Sequence, residues 1–289
     1  MADSHNNNTL NVEAIMNWPF KEDVRAYDAG DCQRYADAFG AGLAGELYEG
    51  DQGFLQGEKA LPVMAVPLAD GEFWQQNAKT GITWQKMVHA GEAITLHRPL
   101  KTAAKLQLTQ QVDQLLDRGA DRGAVMLQKL LLSDEQGPVV TIDVTTMLLA
   151  NGGFGGEPDN RPRDKWVPED KPADASVEIK TPVSHKTEPM LFELNAGLAV
   201  AAGAKEGQKP LRGVCSFGVA GRAALHLLCG NQPERLKYFS VRYAGMMYSD
   251  ETMRVEVWYL SPGKAALRMT AVEREALVLN HCLVEYTET

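Results

Sequence analysis

Residues 157–176, EPDNRPRDKWVPEDKPADAS, limit the fold more than any other stretch of this chain. They are rich in proline and charge and carry no apolar period, which is the signature of a connecting segment. They set off two parts, 1–156 and 177–289. Each part runs in the same order, a helical segment followed by several strands. In the first, Asp31 is a plausible N-cap of DCQRYADAFGAGL, and Tyr35, Phe39 and Leu43 follow at a spacing of four, on one helical face. Downstream, LQLTQQV and VMLQKLLL read as strands, and VVTIDVTTML alternates with Val140, Ile142 and Val144 on one face. In the second, GVCSFGVAGRAALHLL places Val214, Phe217, Ala220, Ala224 and Leu228 on one stripe. Four strand candidates follow, around Phe239–Tyr243, Met253–Tyr259, LRMTAVE and LVLNHCLVEY, joined by the polar turns SDET and SPGK. Helices followed by meanders, repeated once, predict two α+β units.

Composition narrows the function classes. A net charge of −9 argues against a nucleic-acid surface or a general affinity for anionic membrane. No apolar run is long enough to span a bilayer. The polar start MADSHNNNTL lacks the basic and apolar regions of a secretion signal, and the end YTET is not a peroxisomal SKL-type address, so the sequence predicts a cytoplasmic protein. Cys32, Cys215, Cys229 and Cys282 are scattered in apolar contexts and read as buried reduced thiols. The histidines show no metal-ligand spacing.

Several runs, in order, match a known pattern. YDAGDCQRYADAFGAG resembles an opening helix; WQKMVHAGEAITLHRPL resembles a strand carrying a His-Gly-Glu element, here interrupted as His89-Ala90-Gly91-Glu92. DRGADRGAVMLQKLLLSDEQGPVVTIDVTTMLLANGGFGG resembles a turn, a strand pair and a closing glycine-rich loop. KPLRGVCSFGVAGRA resembles a Pro-x-x-His-Gly start of a long helix, and VRYAGMMYSDETMRVEVW the strand pair after it. Together these runs resemble the MaoC-like, type 2 (R)-specific enoyl-CoA hydratases in their double hot-dog form, over nearly the whole chain. The resemblance implies an N-terminal hot-dog domain at 1–156, a linker at 157–176 and a C-terminal MaoC-like hot-dog domain at 177–289. Their sheets would join edge to edge, in an α+β homodimer without metal or redox cofactor.

The same resemblance implies interconversion of a trans-2-enoyl-CoA and an (R)-3-hydroxyacyl-CoA by an aspartate–histidine pair. This sequence departs from that pattern. Phe192-Glu193-Leu194-Asn195 runs straight into AGLAVAAG, so the family's Asp, Asn and His have no counterpart, and Arg212 stands where the family's second His is expected. The reaction needs a base, an acid and donors for an enolate-like oxygen. Gly213, Val214 and Cys215 are the expected donors at the helix N-terminus. Arg212 stays protonated and cannot serve as a base. His89, Asn195 and Arg212 are the remaining candidates for the chemistry, and Arg242, Lys205 and Lys209 for the CoA phosphates. Two alternatives stand beside the hydratase. One is a silent acyl-binding hot-dog subunit. The other is a diverged lyase or isomerase on another acyl or polyketide-like substrate.

Overall fold

The computed structural model describes residues 10–43, 45–181 and 210–288. Its centre is a ten-stranded sheet in the order β1-β3-β4-β5-β2-β8-β12-β11-β10-β6. One half of the sheet comes from β1 (Asp23–Tyr27), β2 (Met87–Leu96), β3 (Ala104–Asp117), β4 (Ala124–Asp134) and β5 (Gly137–Leu148). The other comes from β6 (Ala175–Lys180), β8 (Leu236–Tyr243), β10 (Thr252–Ser261), β11 (Lys264–Ala271) and β12 (Ala276–Tyr286). β7 (Pro210–Leu211) and β9 (Met247–Tyr248) form a separate two-stranded ribbon. The halves join where β2 pairs antiparallel with β8, Glu92 opposite Val241 and Ile94 opposite Phe239.

Strand patterning follows the side chains. In β3, Leu106 and Leu108 face the main core, and a bulge between Val112 and Gln114 lets Leu115 share the face of Val112 in a second, smaller cluster. In β5, Val140, Ile142 and Val144 line the main core side by side.

The helices are α1 (Val12–Met16), α2 (Ala29–Ala38), α3 (Tyr48–Leu55), α4 (Ala65–Leu68) and, in the second half, α5 (Gly213–Cys229). The start of α2 differs from the sequence expectation. Its N-cap is Asp28, whose carboxylate accepts from the Asp31 amide, while Asp31 accepts in return from the Asp28 amide. It also ends early, at Ala38, because the chain turns through positive φ at Gly40 and Gly42. Leu43 therefore lies outside the helix, and the first half carries several short helices in place of one long one.

α5 is buried around almost its whole circumference, as a helix at the centre of a core must be. Gly218 is needed there, because a Cβ at that position would enter the ring of fully buried Phe39. A buried ion pair ties α5 to the first half. Arg222 Nη2 lies 2.5 Å from Asp51 Oδ2 of α3, and Nη1 donates to the Phe39 carbonyl at 2.8 Å. The Gly42 amide donates to the same aspartate at 3.1 Å. All four cysteines are free and buried, and burial raises each thiol pKa. Among the described residues no helix is long and apolar enough to cross a membrane.

Candidate active site

The first turn of α5 opens into a cavity of about 350 Å³. Arg212 is the N-cap, in extended conformation, and its side chain does not cap the helix. The Cys215 amide already donates to the Arg212 carbonyl at 2.9 Å, and its thiol is buried. The Gly213 and Val214 amides have no acceptor among the described residues, as the first donors of a helix do not. They are thus two adjacent donors at the positive end of a helix dipole.

Opposite them stands β2. Glu92 points from this strand to the helix-bearing side and is 5% exposed. Tyr243, at the end of β8, donates its hydroxyl to Glu92 Oε2 at 3.0 Å. His89 Nε2 lies 3.9 Å from the same oxygen, and its ring packs on Tyr243 with centroids 4.8 Å apart. Gly213 makes this assembly possible. A Cβ there would lie 3.0 Å from Cε1 and 3.1 Å from Cζ of Tyr243. The missing side chain is what allows Tyr243 to reach Glu92 beside the helix start.

Electrostatics leave both ionisable groups uncharged near neutrality. Burial pushes the Glu92 carboxyl up to about 8, and the Tyr243 hydrogen bond opposes this only in part. Burial, and then the charge of Arg212, lowers the His89 imidazole below its usual range, although 38% of the side chain stays open to the cavity it lines. Burial, and then the Glu92 carboxyl, keeps Tyr243 protonated. At 3.9 Å the pair is therefore a neutral acid beside a neutral base, and not an ion pair.

The remaining walls divide by character. Val66, Pro67, Leu130, Ile142 and Val144 give an apolar lining. Asp70, just past α4, is held over the cavity by Arg212 Nη2 at 3.2 Å. Trp74 closes one side and is braced by Trp18 and Phe20, with ring centroids at 5.1 and 5.3 Å. Gln75 Oε1 is buried in the wall without a hydrogen-bond partner among the described residues.

The structure brings His89, Arg212, Gly213 and Val214 to one cavity. Arg242 lies elsewhere, on the opposite face of the sheet, where it donates to the Asp164 carbonyl at 3.0 Å. Asn195, Lys205 and Lys209 fall outside the described residues. Glu92 and Tyr243 were not singled out from sequence. The available signal for Glu92 was a carboxylate two residues before Ile94 on a core-facing strand. No set of His, Cys, Asp and Glu side chains with metal-binding geometry occurs among the described residues.

Similarity to known proteins agrees with this fold. No protein-family model matches the chain. The 3-hydroxyacyl-thioester dehydratase Y of Mycobacterium tuberculosis is 27% identical over 271 residues, which is 89% of this chain and 91% of that protein. A probable enoyl-CoA hydratase 2 of Dictyostelium discoideum is 22% identical, over 88% of this chain and 89% of its own length. The crystal structure of a MaoC-like dehydratase from Phytophthora capsici superposes with a TM-score of 0.77 at 24% identity, over 96% of this chain and 98% of that one. In sequence and in fold the chain is similar to the MaoC-like hydratase family. Its fold is the double hot-dog of that family, and the β2–β8 pairing is the seam between the two sheet halves. Within a MaoC-like scaffold, a carboxylic acid and an imidazole on a first-half strand now face the start of the second-half helix.

Proposed function

We propose that this protein is an active hydratase/dehydratase of acyl thioesters, using Glu92 and His89 for proton transfer and the Gly213 and Val214 amides for the thioester oxygen. The observation that carries the reading is the grouping of these residues in one cavity, where burial raises the Glu92 carboxyl and lowers the His89 imidazole. In dehydration of a 3-hydroxyacyl thioester, the His89 imidazole takes a proton from Cα. The two amides hold the negative charge that develops on the thioester oxygen. Protonated Glu92 then gives its proton to the β-hydroxyl, the Cβ–O bond breaks, and water and the 2-enoyl thioester result. Glu92 is left as carboxylate and His89 as imidazolium, and a proton passed from one to the other restores the start. Hydration runs the same steps backwards from the same singly protonated pair. The apolar lining suits an acyl chain, and the chemistry requires neither metal nor redox cofactor. We read 1–156 and 177–289 as two hot-dog units, each contributing one side of this site, with 157–176 as their linker.

The test is direct. Purified protein given crotonyl-CoA is expected to consume the enoyl absorbance and yield the 3-hydroxy product, and His89→Ala to lose that turnover while still binding the thioester. Binding without turnover in the unmodified protein would replace this reading with that of a silent acyl-binding subunit.

A further inference from the structure

A second cavity, of about 480 Å³, lies on the other face of the sheet at the β2–β8 seam. Strand alternation places it there. Thr145 and Met147 of β5 line it, whereas Ile142 and Val144 line the acyl cavity. Its walls carry five arginines from three separate segments: Arg118 and Arg122 from the β3–β4 turn, Arg161 and Arg163 from the linker, and Arg242 from β8. Its acidic side chains are Asp117 and Asp159. This surplus of three positive charges sits in a chain whose net charge is −9.

The two aspartates are already committed. Asp117 accepts from the Gly119, Gly153 and Gly155 amides at 2.7 to 2.8 Å, which folds the glycine-rich loop onto the turn. Asp159 accepts two hydrogen bonds from Arg161, at 2.7 and 3.3 Å, and lies 3.9 Å from Arg118. The other three guanidinium groups keep most of their donors. Arg122 spends Nε on the Arg118 carbonyl at 3.0 Å, and Arg242 spends one Nη2 bond on the Asp164 carbonyl. Arg163 has no hydrogen bond or ion pair among the described residues. Planar guanidinium forks converging on one cavity match phosphate oxygens.

We propose that this arginine-lined cavity binds a multiply charged phosphate anion, separately from the acyl cavity and irrespective of whether the acyl cavity is catalytic. The phosphates belong either to the nucleotide end of a thioester carrier or to a free phosphorylated metabolite, and one experiment distinguishes the two. Pyrophosphate is titrated into the full-length protein by calorimetry, alone and with CoA present. Saturable binding is expected, weakened by salt and weakened about tenfold by each of Arg122→Ala and Arg163→Ala. Glu92→Gln is expected to leave it unchanged, which separates this site from the acyl cavity. Displacement by CoA assigns the site to the carrier's nucleotide, and simultaneous binding assigns it to a free metabolite; both support the site. Absence of saturable binding, or equal affinity in the Arg122→Ala/Arg163→Ala double variant with its fold intact by circular dichroism, overturns it.

Discussion

Replacing Glu92 by Gln should make the protein less active and more stable at once. The substitution keeps the size of the side chain and an acceptor for the Tyr243 hydroxyl, but it removes the proton that leaves and returns. Loss of a general acid/base group costs about a hundred- to ten-thousand-fold in turnover. The stability gain follows from the raised carboxyl. Below pH 4.5 the group is protonated in folded and unfolded chains alike, so it costs nothing. Between 4.5 and about 8 the unfolded chain ionises it and the folded chain does not. Each pH unit in that interval therefore removes about 1.4 kcal/mol of folding stability. At pH 7 the cost is about 3 kcal/mol, and above pH 8 it stops growing. Glu92→Gln abolishes this slope. The assay is urea denaturation of both proteins from pH 4.5 to 9, alongside enoyl-CoA hydration. A variant that keeps its turnover, or one no more stable at pH 7 than at pH 4.5 relative to the parent, would refute the reasoning.

Four other outcomes are expected. Turnover in either direction should decline as pH rises through about 8, where Glu92 loses the proton the pair must share, and again in acid as His89 becomes charged. Tyr243→Phe removes a hydrogen bond that holds the Glu92 pKa down, so the alkaline limb of the pH–rate profile should move upward, and a downward move would contradict the assigned contact. Gly213→Ala keeps the amide but presses on the Tyr243 ring, displacing Glu92 by a few tenths of an ångström, and should lower kcat about tenfold with little change in melting temperature. Asp51→Asn leaves the Arg222 charge buried without its partner and should cost about 3–5 kcal/mol in chemical denaturation, and a loss below about 1 kcal/mol would show that the clamp between α3 and α5 contributes little.

Much of the framework was legible because strands with one buried face alternate. Val140, Ile142 and Val144, or Met253, Val255 and Val257, announce themselves by period alone. The start of α2 was misplaced because two aspartates three residues apart share one capping box, and either could be taken as the cap. The extension to Leu43 failed because a spacing of four does not reveal that Gly40 and Gly42 turn the chain. The site was legible in its helix start, where Gly213 follows a family-like pattern, and in His89 of the interrupted His-Gly-Glu element. Tyr243 reaches Glu92 across 151 positions, and no local pattern carries that contact. Arg222 finds its partner Asp51 171 positions away, a contact that the apolar period of its helix does not reveal. The arginine cavity is likewise assembled from three distant segments, and of its five arginines only Arg242 was given a role from the sequence.

The most direct test of the account is a crystal structure with an unreactive 3-hydroxyacyl or 2-enoyl thioester analogue bound. The account predicts the thioester oxygen within hydrogen-bonding distance of the Gly213 and Val214 amides, the β-carbon facing Glu92 and the α-carbon facing His89. A thioester seated away from the first turn of α5, or a β-carbon directed to some other acid, would contradict it.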